Sequence, residues 1–170
     1  MNKVSFVVLV IFALFFTSCK KQLPQLPSNK GVEIDTKSTT LLNINENLAK
    51  NEDIKLTAFA SKKGGFKKSD LGFWYKIEGK GTGLQIKDST KCEFEFNMSL
   101  LNGKELQKGE KQLIIGKKQT IIGLEEGLKL MHKGDFATLI IPWYLGYGIK
   151  GFEQIVPPYT SIIYNIKVLN

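Results

Sequence analysis

Hydrophobic and polar residues alternate along two stretches in the second half of the chain, a pattern typical of β-strands that bury one face. The first covers residues 73–77 and the second residues 94–100, where the pair Asn102-Gly103 that follows favours a hairpin turn. Three apolar runs predict further strands. They lie at residues 113–115, 136–141 and 162–169.

One segment between these predicted strands has helical spacing instead. Within residues 120–132, apolar residues recur at intervals of three, four and three, which places them on one helix face. Several strands and one short helix predict an α+β fold in which a sheet packs one face on that helix. The residues of the apolar helix face are Ile121, Leu124, Leu128 and Met131.

An apolar run at residues 4–16, interrupted only by Ser5, opens the chain. A membrane-spanning helix needs about 20 residues, so this run is too short and favours a secretory signal. Small residues before Cys19 resemble a bacterial lipoprotein signal, in which this cysteine is lipidated and anchors the protein to a membrane. The alternative is ordinary signal cleavage with an incidental cysteine. We expect lipidation, because Cys19 lies where the apolar run gives way to polar residues.

The remaining sequence before residue 71 predicts a linker and a helix. A polar, proline-containing stretch predicts a flexible tether, and a partial helical period at residues 45–60 predicts a short helix that Gly64-Gly65 ends. The predicted organisation is a signal peptide at residues 1–18, a tether at 19–44, a helical lead-in at 45–70 and a folded domain at 71–170.

Composition excludes several classes of function. All 24 basic residues are lysine, against 16 acidic residues, for a net charge of +8. Since arginine is the usual reader of guanine edges and phosphates, this charge does not indicate nucleic-acid binding. One histidine and two cysteines are too few for a zinc cluster or a disulfide framework, and Cys92 in an alternating run is expected to be buried.

Three motifs in order resemble FKBP-type peptidyl-prolyl cis-trans isomerases, over about residues 71–170. They are Ile-Ile-Gly-Leu-Glu-Glu-Gly at residues 121–127, Ile-Pro-Trp-Tyr-Leu-Gly-Tyr-Gly at 141–148 and Ile-Val-Pro-Pro at 155–158. With the lipoprotein signal, the chain is similar to the lipoprotein form of this family, including the gliding-motility-associated type of Bacteroidetes. The resemblance implies a twisted antiparallel sheet of about five strands wrapped on one short helix.

The resemblance also implies an apolar pocket between helix and sheet that holds a proline ring of an unfolded or exported polypeptide. In such a site the backbone N–H of Ile121 and the phenol of Tyr147 orient the peptide. The implied catalytic residues are Tyr147, Ile121, Phe96 and Gln107. The implied substrate-binding residues are Leu106, Leu124, Phe152, Ile155 and Tyr164.

Rotation about an X-Pro bond breaks no covalent bond, so no nucleophile, metal or cofactor is expected. The family usually carries Tyr at Phe96, Phe at Leu106 and Asp at Gln107, and an apolar residue at Lys111. Without the carboxylate and one aromatic wall, we expect weak to moderate isomerase activity.

Two functions explain the ordered motifs and remain open at this point, whereas a third possibility, a generic lipoprotein structural domain, does not explain them. The first is a membrane-anchored isomerase, on the periplasmic side of the cell envelope, that assists folding of exported proteins. The second is a non-catalytic peptide-binding or chaperone module of an envelope or motility machine. Ile121, Leu124 and Ile155 could by themselves be ordinary core residues, whereas Tyr147 between two glycines favours a projecting residue.

Overall fold

The computed structural model describes residues 36–79, 81 and 83–169, with side chains from residue 40 onward. Contacts within the chain divide it between Thr39 and Thr40, and the strands among the described residues lie in the second unit, Thr40–Asn170. The predicted signal peptide, the Cys19 lipidation site and residues 19–35 of the predicted tether lie outside the described residues.

Helix α1 spans Thr36–Lys63 and is longer than the predicted helix at 45–60. It includes residues 36–44, which were predicted to belong to the flexible tether. This part of the chain has no glycine or proline to break a helix, and Glu46 pairs with Lys50 one turn later at 2.7 Å. The helix ends at Gly64 and Gly65, whose φ angles of 74° and 78° suit glycine.

In the part of the chain that the structure describes, six antiparallel strands form one sheet in the order β1-β2-β5-β6-β3-β4. The predicted α+β class is confirmed, and the predicted count of about five becomes six through the two-residue strand β1 at the edge beside β2. The strands are β1 (Lys67–Lys68), β2 (Trp74–Glu78), β3 (Lys91–Leu100), β4 (Glu105–Ile114), β5 (Phe136–Ile141) and β6 (Ile162–Val168).

Helix α2, Ile122–Lys129, packs on one face of the sheet, which we call the inner face. The predicted apolar side chains Leu124, Leu128 and Met131 are buried against it. Two glycines allow close approach, because a side chain at Gly123 or Gly127 would overlap residues of β5. Glycine lowers the intrinsic stability of the helix at these two positions, but it allows the helix to pack closely on the sheet.

The opposite, outer face is partly covered by α1, which the sequence did not predict. Leu56 and Ala60 are buried on Ile140 of β5, with five partly buried apolar residues around them. The sheet therefore lies between two helices over part of its area. The five surrounding residues are Phe59, Phe66, Trp74, Leu101 and Ile163.

Cys92 is a free cysteine buried on the inner face, as its alternating run predicted. Burial raises the pKa of its thiol to about 11, a shift that the neighbouring Lys133 charge partly opposes. Such a thiol is protonated and unreactive at neutral pH, which indicates a packing role.

Candidate functional site

Four aromatic rings form a cluster that extends from the inner face of the sheet to the loop before β6. The ring centroid of Phe96 is 5.8 Å from that of Tyr164, and Tyr147 stacks on Phe152 with centroids 4.9 Å apart. Phe96, Tyr147 and Phe152 are partly buried, and Tyr164 is 4% exposed. The structure thus brings together residues from two strands and one loop that the sequence assigned to one pocket.

The hydroxyl groups of the two tyrosines meet at the centre of this cluster. The Tyr147 oxygen lies 3.1 Å from the Tyr164 oxygen, and the Tyr147 hydroxyl donates to the sulfur of Met98 at 3.9 Å. Burial, and then the hydrogen bond to Tyr147, raise the pKa of Tyr164, so this phenol stays protonated. Tyr147 therefore points into the cluster with its hydroxyl on a weak sulfur acceptor.

Two hydrogen bonds through Ser161 fix the position of the loop that carries Tyr147. Pro142 precedes a 3₁₀ turn at Trp143–Leu145, and the backbone N–H of Trp143 donates to the Ser161 hydroxyl oxygen at 3.1 Å. Ser161 in turn donates to the carboxylate of Glu52 in α1 at 2.6 Å. The long helix thereby contributes to the position of the loop.

Ile121 and Leu124 form the helix side of the site. Ile121 is the N-cap of α2, so its carbonyl accepts bonds from the first turn, whereas its own N–H donates no hydrogen bond within the described part of the chain. Leu124 is 1% exposed and belongs to the buried core against which Ile121 packs.

Strand β4 forms the opposite wall through an irregularity in its pairing. Met98 pairs with Gln107 and Ser99 pairs with Glu105, so Leu106 is an extra residue in a β-bulge. Leu106 packs against the core, and Gln107, opposite the inner-face residue Met98, is exposed. The side chain of Gln107 makes no hydrogen bond to another described residue, so it lies at the rim and not among the bonded groups of the tyrosine pair.

The loop after Tyr147 closes the remaining side with Phe152 and Ile155, both partly buried against the core. An isolated bridge joins Phe152 to Val156, and Gly151 has a φ angle of 70°. A side chain at Gly151 would overlap the backbone of residues 156–158. The Ile-Val-Pro-Pro motif therefore shapes this wall through backbone packing as well as through its side chains.

Sequence reasoning missed Asp135, a buried carboxylate directly before β5. It is 2% exposed, and its carboxylate accepts hydrogen bonds from the backbone N–H of Gly81 at 2.6 Å and of His132 at 2.7 Å. This carboxylate ties the glycine-rich stretch before β3 to the segment that follows α2. A lone acidic residue after Gly134 gives no periodic signal, so only the coordinates reveal the role.

A family model described as FKBP-type peptidyl-prolyl cis-trans isomerase matches residues 83–169. The protein FkpA of Buchnera aphidicola subsp. Acyrthosiphon pisum is 31% identical over 147 residues, which are 83% of this chain and 60% of that protein. FkpA of Escherichia coli K12 is 33% identical over 129 residues, 74% of this chain and 46% of that protein. The chain thus spans about half the length of the curated relatives it matches.

Solved structures show the same fold. The crystal structure of FkpA from Escherichia coli has a TM-score of 0.64 at 22% identity and covers all of this chain and 82% of that chain. The isomerase structure from Pseudomonas syringae pv. tomato has a TM-score of 0.64 at 22% identity, over 74% of this chain and 93% of that chain. Among the described residues, no helix combines the length and apolar character needed to cross a membrane.

Proposed function

The chain belongs to the FKBP-type peptidyl-prolyl cis-trans isomerase family, and from this premise we propose that it catalyses cis-trans isomerisation of X-Pro bonds in polypeptides. The observation that carries the proposal is the hydrogen-bonded pair of Tyr147 and Tyr164, which lies inside a cluster of apolar walls. A hydroxyl donor in an otherwise apolar site is suited to orient a peptide carbonyl.

An apolar pocket is sufficient for this reaction. Amide resonance gives the peptide bond a rotation barrier of about 18–20 kcal/mol, and the twisted transition state loses the charge separation of the planar amide. A site that excludes water and fits the twisted form therefore binds the transition state more tightly than the ground state. No proton transfer or covalent intermediate is required.

The described geometry gives two groups a role in orienting the substrate. The Tyr147 hydroxyl exchanges its weak sulfur acceptor, Met98, for a peptide carbonyl, while Tyr164 continues to donate to the Tyr147 oxygen. The unbonded N–H of Ile121 offers a second donor at the helix side. Phe96, Phe152 and the other walls would then enclose the proline ring.

The proposal is tested by two-dimensional NMR exchange on a blocked Ala-Leu-Pro-Phe peptide, which needs no coupling protease. We expect acceleration of cis-trans exchange by the wild type and its near loss in Phe96→Ala. The matched control is Phe136→Ala, because Phe136 is an exposed phenylalanine on the outer face of β5. Equal rates for the two variants would place the activity elsewhere on the molecule.

A second candidate function rests on Gln107. An uncharged, exposed side chain stands where the family usually has a carboxylate, which favours a non-catalytic peptide-binding or chaperone module of an envelope or motility machine. The Gln107→Asp variant separates the two. A large gain in exchange rate from an inactive wild type would support the binding module, whereas a change of less than threefold from an active wild type would support the isomerase.

We also propose that Cys19 is lipidated and anchors the protein to a membrane of the cell envelope, on the periplasmic side, where exported proteins fold. The short apolar run at residues 4–16 and the abrupt polarity after Cys19 support this. Incorporation of labelled palmitate in cells expressing the full chain tests it. We expect label in the wild type and none in Cys19→Ser, and an unlabelled wild type would reject the anchor.

A further inference from the structure

The register between β3 and β4 places a positive charge beside the pocket. Lys111 pairs with Phe94, which is fully buried on the inner face. Directly opposed residues of an antiparallel pair project from the same face of the sheet with Cβ atoms about 5 Å apart. Lys111 therefore projects from the inner face, although strand β4 lies at the edge and the side chain is exposed.

The neighbouring positions leave Lys111 close to the aromatic cluster. The ring of Phe94 is 6.2 Å from that of Phe96, and Gly109, which pairs with Phe96, has no side chain to separate Lys111 from the pocket. The next inner-face residue along β4 is the neutral Gln107. A substrate lying over Phe96 would thus meet one cation and no anion along this wall.

Two carboxylates at Gly116, just beyond the end of β4, have partners of their own. Glu125 of α2 is buried and accepts the N–H of Gly116 at 2.6 Å, and Asp88 pairs with Lys129 at 2.9 Å. Glu110, adjacent in sequence, projects from the opposite face of the strand. Among the described residues, Lys111 takes part in no ion pair.

We propose that Lys111 makes this pocket select X-Pro segments with an acidic residue next to the proline, against segments with a basic residue there. The inference rests on the proposed function for the identity of the occupant. A unit charge on the peptide, about 8 Å from Lys111 at a solvated rim, changes the affinity for the peptide by about twofold. Exchange of Glu for Lys in the peptide reverses the sign of that charge and therefore changes the affinity by about fivefold.

The experiment compares blocked peptides of the form Ala-Xaa-Pro-Phe and Ala-Leu-Pro-Xaa, with Xaa as Glu, Gln or Lys. Catalytic efficiency is measured by NMR exchange, and dissociation constants by chemical-shift titration of the same samples. The variants are Lys111→Gln and the charge reversal Lys111→Glu. The matched control is Lys108→Gln, which removes an equal charge from the same strand on its outer face.

The expected result is a preference of about fivefold for Glu over Lys in at least one peptide series. This preference should disappear in Lys111→Gln, reverse in Lys111→Glu, persist in Lys108→Gln and shrink in 0.5 M salt, where the Debye length is only a few ångströms. A wild type without preference in either series would overturn the proposal. So would a preference that Lys111→Gln leaves intact or that Lys108→Gln removes equally.

Failure of the proposed function has a different signature. If no peptide isomerises faster, including the neutral Gln peptides, the isomerase assignment fails. The dissociation constants then decide the selectivity on their own, because equal affinities for the Glu and Lys peptides would overturn it and a preference lost in Lys111→Gln would support it.

Discussion

Replacement of Tyr147 by phenylalanine tests the centre of the site, because it removes one hydroxyl and keeps the ring on Phe152. The Tyr147 oxygen is the only described hydrogen-bond partner of the Tyr164 hydroxyl, which is almost fully buried. Tyr147→Phe therefore leaves a buried hydroxyl unsatisfied. Tyr164→Phe leaves Tyr147 with the sulfur of Met98 and with partial access to solvent.

The magnitudes follow from this asymmetry. An unsatisfied buried hydroxyl costs about 1–3 kcal/mol, so Tyr147→Phe should lower the free energy of unfolding by that amount. Tyr164→Phe should lower it by about 0.5–1.5 kcal/mol, a typical net hydrogen-bond contribution. In the double variant both partners are gone, so its loss should fall short of the sum by about 1 kcal/mol or more.

Catalysis should respond differently from stability. If the Tyr147 hydroxyl donates to a substrate carbonyl, Tyr147→Phe should lower kcat/KM by about 2- to 10-fold, the equivalent of one neutral hydrogen bond. Tyr164→Phe should change kcat/KM much less, since its hydroxyl supports Tyr147 and does not face the peptide. The control is Tyr159→Phe, because Tyr159 lies outside the cluster and is 44% exposed.

The assays are urea unfolding, with the m-value compared between variants, and NMR exchange on an X-Pro peptide. Losses in unfolding free energy that add within about 0.3 kcal/mol would refute the tyrosine hydrogen bond. An unchanged kcat/KM in Tyr147→Phe would refute the donor role, whatever the stability data show.

Three further predictions concern the packing around the site. Gly127→Ala should lower the urea midpoint, because the new Cβ overlaps Leu139. Such overpacking costs about 1–3 kcal/mol, which outweighs the gain of about 1 kcal/mol in helix propensity. A higher midpoint would contradict the close approach of helix and sheet. The pKa of Cys92 is about 11 in the folded state and 9.0 in the unfolded state. The stability that the buried thiol contributes is therefore complete below pH 9 and declines as the pH rises towards 11. The difference in unfolding free energy between wild type and Cys92→Ala should shrink over that range, and a constant difference would show that the thiol does not titrate there. Ser161→Ala should cost about 1–3 kcal/mol in urea unfolding, because it leaves the buried backbone N–H of Trp143 without its acceptor and the Glu52 carboxylate with Lys55 alone. An unchanged midpoint would show that water replaces the hydroxyl.

Periodicity was sufficient to predict the elements that bury one face. Strand β5 was predicted at its observed residues, and the apolar face of α2 is buried as expected, because both patterns follow directly from burial. The first turns of α1 were missed for the same reason. Residues 40–44 were assigned to the tether and are exposed, so their apolar side chains mark no buried face, and no glycine or proline interrupts the helix there.

The members of the site could be named from sequence, but their connections could not. The family resemblance names Tyr147 and Phe152, yet only the coordinates show their stacking and the bond to Tyr164. The support from Ser161 to Glu52 joins residues 109 positions apart, which no local pattern can reveal. The inner-face position of Lys111 depends on the register between β3 and β4, which a bulge determines.

The bulge at which the pairing shifts between Met98 and Ser99 allows the residues of the pocket wall to change in evolution while the rest of the sheet stays the same. It takes up one additional residue, so pairing continues without interruption from Met98 with Gln107 to Lys91 with Ile114. Insertions, deletions or new side chains in the hairpin before the bulge can remodel one edge of the pocket while every later residue keeps its face. A scaffold of this kind can acquire new substrate preferences without refolding its core.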